Sequence, residues 1–254
     1  MKFTSFTSQQ LAHDHSVKNI LTDIYKHDEF MESIRRMVDL GCQSEGLDLQ
    51  WWANAETNDD SFTPLEIKCT GVNSIDKLAI KHNGITFQKG NVQDFNKTKK
   101  PFDVLWCHDV LQYLTNPYQA LANWWHVASQ DAMMIIAVPQ TTNVEFNMLE
   151  YNAQMNHKHH FTMPMLIYML AVNGWDCKSG FFKKDIGDPW MYAIVYRSDV
   201  EPMDPAITNL YNLAEDTELL PESAVKSIHK YGMLRQRDLL LPWLDKSNMW
   251  MEQQ

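Results

Sequence analysis

The sequence predicts an α/β protein: a seven-stranded, mainly parallel sheet that closes with a C-terminal antiparallel hairpin, plus helical N- and C-terminal extensions. Three observations predict it. Between about residues 37 and 197, short β-branched or apolar runs alternate with longer helical patterns, which is how βαβ units around a parallel sheet read. The last two strand-like runs are separated by only Lys184–Pro189, so they form a hairpin with Gly187 and Pro189 at its turn. Finally, 44% hydrophobic and 21% charged content with nine glycines in 254 residues describes a compact chain and excludes repetitive and collagen-like classes.

The elements follow in order. A helical stripe of Val17, Ile20, Leu21, Ile24, Phe30 and Ile34 predicts a helix over Val17–Arg36 and an N-terminal helical extension at 1–36. Strands are expected at Met37–Leu40, Leu65–Val72, Ile85–Gln88, Phe102–Trp106, Met133–Val138, Trp175–Lys183 and Trp190–Tyr196. Helices are expected at Leu47–Ala55, Pro117–Ala128 and Pro164–Asn173, the two prolines sitting in first turns. The polar stretch ETNDDSFTP, 56–64, is longer than a usual connection and reads as a surface insertion, the other reading being a functional loop. The sheet would occupy 37–198. Residues 199–254 carry ten acidic and five basic side chains, half of the chain's net charge of −10. This acidic tail is broken by Pro202, Pro205, Pro221 and Pro242 into short helical pieces. Its Leu219, Leu220, Leu239, Leu240, Leu241, Trp243 and Trp250 require burial, on the main domain or on a second copy as a homodimer.

The acidity argues against a nucleic-acid backbone as partner, since the densest basic stretch is only Lys97, Lys99 and Lys100. No apolar run reaches the roughly 18 residues of a membrane span. The start lacks the apolar core of a signal peptide, and Cys42, Cys69, Cys107 and Cys177 form no CxxC pair, so a reducing cytoplasm is the expected location. No metal site is assigned.

MVDLGCQSEG, residues 37–46, places an apolar strand, an acid and a small-residue turn just before a helix. Ligands of α/β sheets bind at the carboxyl ends of strands, where a glycine lets the backbone approach them. An ordinary strand-to-helix turn would read the same way. The set is extended by Gly71-Val72-Asn73-Ser74, by Gly90-Asn91-Val92-Gln93-Asp94-Phe95 and by FDVLWCHDVLQYLTNP over 102–117. Over roughly residues 37–197 it resembles the Rossmann-like class I S-adenosylmethionine-dependent methyltransferases, in the branch that acts largely on small molecules. DLGC, LQWWA and IKCTGV also resemble uncharacterised methyltransferase-like proteins of marine cyanobacterial viruses, whose members would work in the host cytoplasm.

The resemblance implies S-adenosylmethionine as cofactor. It puts Asp39, Gly41, Cys42 and Gly46 around the cofactor's methionine and ribose, and Asn73 with Ser74 beside the ribose hydroxyls. Asn91 and Val92 would edge the adenine, and His108 with Asp109 would stand where the fourth strand opens into the pocket. The sequence also departs from the pattern. Gln43 and Glu45 take the second and third glycine places, and the ribose and adenine acids are Asn73 and Asn91, each change giving up about 1 kcal/mol of charge assistance.

Methyl transfer depends on alignment in a dry pocket, so no residue type is diagnostic of it. The resemblance puts the acceptor pocket over the fourth and fifth strand ends, which offers His108, Tyr113 and the segment Gln140–Phe161 with Tyr151, His157, His159 and His160. Tyr151, His157, His160 and His108 could present a base to an acceptor, because histidine titrates near neutrality. The same histidines could instead cap helices in a polar loop, and HxHH lacks the i,i+4 pairing of a helical metal site. In each of the pairs Trp51-Trp52 and Trp124-Trp125, one ring is expected in the core and its neighbour at the margin. The function expected is methyl transfer from S-adenosylmethionine to a small-molecule or peptide-like acceptor. The rival is a catalytically silent protein that keeps the fold as a binding or assembly module.

Overall fold

The computed structural model describes residues 33–44, 46–54, 66–78, 84–140, 157–184 and 190–241. The expectations for residues 17–32, the 56–64 stretch, Tyr151, Trp243 and Trp250 lie outside the described residues.

Seven strands form one sheet: β1 Arg36–Leu40, β2 Lys68–Asn73, β3 Ile85–Lys89, β4 Phe102–His108, β5 Ala128–Pro139, β6 Trp175–Lys184 and β7 Trp190–Arg197. Their order is β3-β2-β1-β4-β5-β7-β6. The first five strands pair in parallel, and β7 is antiparallel to both β5 and β6, as the sequence predicts. The order reverses between β1 and β4, and a crevice opens at the carboxyl ends of strands at such a point.

Side-chain alternation divides the core. In β4, Leu105 and Cys107 enter one apolar cluster while Val104 and Trp106 enter the other; in β5, Met134, Ile136 and Val138 oppose Met133, Ile135 and Ala137. Both faces of the sheet are therefore covered, which suits the near-continuous apolar runs of these strands. The short helix α1, Leu47–Ala53, lies on one face with Leu49, Trp51 and Trp52 buried. The helices α2, Pro117–Val127, and α3, Met163–Val172, belong to the other cluster. Asn116 and Thr162 start them, their side chains accepting from the Gln119 and Met165 amides.

Three expectations are corrected. Residues 33–35 are not helical and Arg36 opens β1, because the Asp103 carboxylate accepts from the Arg35 and Arg36 amides at 2.9 Å each and ties this segment beside β4. Strand β5 begins at Ala128, five residues early: the polar Ser129–Asp131 hide its start from an apolar pattern, and the register shifts between Phe102 and Val104. Both rings of each tryptophan pair are buried. Trp124 donates to Val92 O, while the Arg197 guanidinium lies 3.8 Å over the Trp125 ring, so a second layer covers what would otherwise be the margin.

The tail folds onto its own domain. Helix α4, Leu210–Asp216, brings Leu213 and helix α5, Glu222–Tyr231, brings Ala224 and Ile228 into the cluster shared with α2 and α3, and the segments after each helix add Leu219, Leu220, Leu239 and Leu241. Backbone and side-chain bonds join the two parts, from Met203 N to Val172 O, Cys177 N to Leu219 O and Tyr168 Oη to Thr208 O. This second layer explains how α3 can be apolar almost all round. Leu240, against expectation, is 73% exposed, because its neighbours Leu239 and Leu241 take the inward positions.

Candidate functional site

At the reversal point a cavity is lined by Asp39, Gly41, Cys42, Gln43, Leu47, Asp48, His108 and Asp109. Strand β1 and the turn after it supply one wall, the first turn of α1 a second, and the end of β4 a third. Local chemistry holds this turn in place. Gly41 has φ +95° and its amide donates to Val72 O at 2.8 Å; a Cβ there would stand 2.4 Å from Val110 Cγ2. The glycine is thus demanded by packing against Val110 as well as by backbone conformation. Gly46 starts α1 in the left-handed region, and its carbonyl accepts from Gln50 N.

Asp39 is the group that most needs explaining. It is 4% exposed, and among the described residues no donor reaches its carboxylate. Burial first, then the nearby Asp48 charge, raise its pKa well above the ordinary carboxylate value. Asp48, in contrast, accepts from Trp106 Nε1 at 2.8 Å. The same two causes, with Asp39 as the nearer acid, push the Cys42 thiol up, so it is no thiolate nucleophile. Trp106 also meets Trp52 edge-on at 5.9 Å and stacks parallel to the His108 ring, which in turn lies 5.2 Å from Trp190. An aromatic row therefore fixes the His108 ring at the cavity wall. Asp109 follows with φ +60°, a conformation that costs energy for a residue with a side chain and recurs at functional sites. Its carboxylate accepts from Gln112 Nε2.

The remaining sequence candidates are placed as follows. Asn73 Nδ2 donates to Cys42 O at 2.7 Å while its Oδ1 accepts from the Ser74 amide and hydroxyl. It is a strut between β2 and the β1–α1 turn, a task that needs an amide, since a carboxylate has no donor for Cys42 O. Asn91 caps the turn Val92–Asp94, accepting from Gln93 N and donating to Asp94 Oδ2. Buried Val92 anchors this turn on α2 through Trp124. None of Asn73, Ser74, Asn91 or Val92 lines the cavity.

His157 and His160 are not among the residues that line this cavity. His157 Nε2 is 3.0 Å from Tyr113 Oη, and the Lys158 and His159 amides both donate to Gln112 O, so this segment is clasped to the turn after β4. Burial and then His160 lower the His157 pKa; burial and then Asp109 raise that of Tyr113. Tyr151 lies outside the described residues. The sequence offers Tyr113 from its place after the fourth strand, but Asp48 escapes it as a site residue. An acid in the first turn of the helix after the glycine turn was the available signal for Asp48.

Among the described residues no helix is long and apolar enough to cross a membrane. Residues 38–136 match the family model described as a methyltransferase domain. No curated protein matches the chain. Solved structures share the fold. Phosphoethanolamine N-methyltransferase 2 of Haemonchus contortus, in complex with S-adenosyl-L-methionine, is 11% identical with TM-score 0.54, over 70% of this chain and 52% of that one. An O-methyltransferase family protein of Burkholderia thailandensis is 13% identical with TM-score 0.52, over 73% and 57%. The chain thus spans little more than half the length of these two. An S-adenosylmethionine-dependent methyltransferase of Mesorhizobium loti is 13% identical with TM-score 0.51, over 64% of this chain and 90% of that one. Residues 38–136 thus match a methyltransferase domain, and the sheet around them has the fold of these solved methyltransferases.

Proposed function

We propose that this chain binds S-adenosylmethionine at the β1–β4 crevice and transfers its methyl group to a small-molecule or peptide-like acceptor. The observation that carries the reading is Asp39: a buried carboxylate on a cavity wall, with no donor among the described residues, is costly unless a cation or a proton meets it. The cofactor's α-ammonium would meet it.

When bound, the cofactor supplies an electrophilic methyl on a sulfonium: the acceptor's lone pair forms the new bond to carbon, the carbon–sulfur pair returns to sulfur, and the acceptor loses a proton. In this reading Asp39 holds the ammonium, with Gly41, Cys42 and Gly46 shaping the turn against the methionine and ribose. Asn73, Ser74, Asn91 and Val92 sit along the strand ends where the nucleoside would lie. Their amides have structural work, so replacing acids by amides there is no sign of a decayed site and does not favour a silent scaffold. His108 is held rigid at the wall. His157, kept unprotonated near neutrality by burial and His160 and oriented by Tyr113, would take the acceptor's proton, with His160 and Tyr151 beside that role.

Titration calorimetry of the full chain tests this. Both S-adenosylmethionine and S-adenosylhomocysteine should bind, and Asp39→Asn should weaken both at least about tenfold. No heat from either ligand up to millimolar concentration would overturn the reading. Two copies would associate through the outward Ile207, Met233 and Leu240 of the tail. Sedimentation velocity showing only single chains at tens of micromolar would contradict that part.

A further inference from the structure

Gln112 joins the cavity wall to the Tyr113–His157 pair. It is buried, and its Nε2 donates to Asp109, which lines the cavity. Its main-chain carbonyl accepts from the Lys158 and His159 amides at 2.8 and 3.1 Å, and so holds the segment that carries His157. The side-chain amide can face only one way: turned over, its oxygen would meet the Asp109 carboxylate, and neither group has a hydrogen to offer. Burial and then Asp109 raise the Tyr113 pKa, and a hydrogen bond from the Gln112 side chain works against them, as a donor to the phenol oxygen does. Gln112 Oε1 has no partner among the described residues, so the Tyr113 hydroxyl is not spent on it. The hydroxyl's other neighbour is His157 Nε2, 3.0 Å away.

A hydroxyl that accepts from an amide keeps its own hydrogen for the next acceptor. We infer that Gln112 is a positioning residue that sets the direction of a proton relay: its amide donates to Asp109 and to Tyr113 Oη, the Tyr113 hydroxyl donates to His157 Nε2, and the methyl acceptor's proton enters at Tyr113. Exposure agrees with that entry point. His157 is 8% exposed while Tyr113 is only half-buried, so an acceptor meets the phenol before the imidazole. The step rests on the function proposed above, and it balances. The acceptor's lone pair bonds the methyl carbon, the carbon–sulfur pair returns to sulfur, the acceptor's proton passes to Tyr113 Oη, and Tyr113's own proton passes to His157 Nε2. Tyr113 ends neutral and His157 ends as an imidazolium.

Heteronuclear NMR of the full chain with isotope-labelled histidine, free of any ligand, reads the tautomer. Of the ten histidines, His157 is the one whose signals disappear in His157→Gln. Above neutrality the native chain should carry the His157 hydrogen on Nδ1 and leave Nε2 bare. Gln112→Leu should shrink that preference about fivefold, one ordinary hydrogen bond's worth, and Gln112→Glu, with at most one hydrogen to donate, should shrink it too. A native His157 with its hydrogen on Nε2 would overturn the relay, and an unchanged preference in both variants would overturn the role of Gln112. The native measurement decides the direction even where a variant does not fold. Because no cofactor is present, the result separates from the calorimetry above. A contrary tautomer overturns the relay and leaves cofactor binding standing, whereas absence of binding overturns methyl transfer and leaves the direction of the hydrogen bonds standing.

Discussion

At Asp39, burial and binding pull in opposite directions. The carboxylate is costly to ionise in the unliganded fold, since burial and Asp48 both oppose its charge. Its folded pKa lies above the unfolded value near 3.8, so the folded state holds the proton more tightly. The resulting stabilisation is complete below that value and is lost as pH rises through the raised one. Asp39→Asn should therefore raise the melting temperature of the unliganded protein at pH 7 by about 2–4 °C, what about 1 kcal/mol does in a chain of this size. The gain should vanish near pH 3. A variant that melts lower than the native chain at pH 7 would mean the carboxylate is satisfied after all. This acid was legible in the sequence as a site residue, from its place before the glycine turn. Its partner Asp48 was not, because an acid in the first turn of a helix is usually a solvated one and only the fold brings it under Trp106.

At the scale of elements, the β1–α1 turn is held to β2 by one side chain. Asn73 stands where methyltransferases usually have an acid, and from the sequence the change reads as a loss. The structure gives the amide a use: its Nδ2 satisfies Cys42 O at 2.7 Å, and its Oδ1 the start of the next segment. Restoring the acid should therefore cost stability. Asn73→Asp is expected to lower the denaturation free energy by about 1–2 kcal/mol, seen as a lower midpoint at unchanged slope. An unaltered midpoint would mean the strut carries no weight. Strand positions, helix starts and the closing hairpin could all be read from periodicity, proline and glycine. What escaped was set by packing across elements. The early start of β5 is polar in sequence yet paired in the sheet, and the outer member of each tryptophan pair finds cover only from distant residues such as Arg197.

At the scale of the whole molecule, three layers and a wrapped tail serve one geometric fact, the reversal of strand order between β1 and β4. The sheet buries both faces, α1 closes one side of the crevice, and the tail stiffens the opposite face through Leu213, Leu219 and Ile228. The crevice was foreseeable because strand ends can be read from hydrophobic pattern and the glycine turn and the methyltransferase resemblance mark the end of the first strand, whereas the strand order comes from the fold alone. The grouping of His157 with Tyr113, clasped to the turn after β4 and not part of the cavity lining, was not foreseeable, since nothing local in the sequence relates residues so far apart. The central claim is that the cofactor's amino group is received by Asp39. A crystal structure of the full chain with S-adenosylhomocysteine tests it most directly. The account predicts ligand density at the carboxyl ends of β1 and β4 with the ammonium within about 3.2 Å of an Asp39 oxygen. Density that leaves Asp39 without a cationic partner, or that lies elsewhere on the molecule, would contradict it.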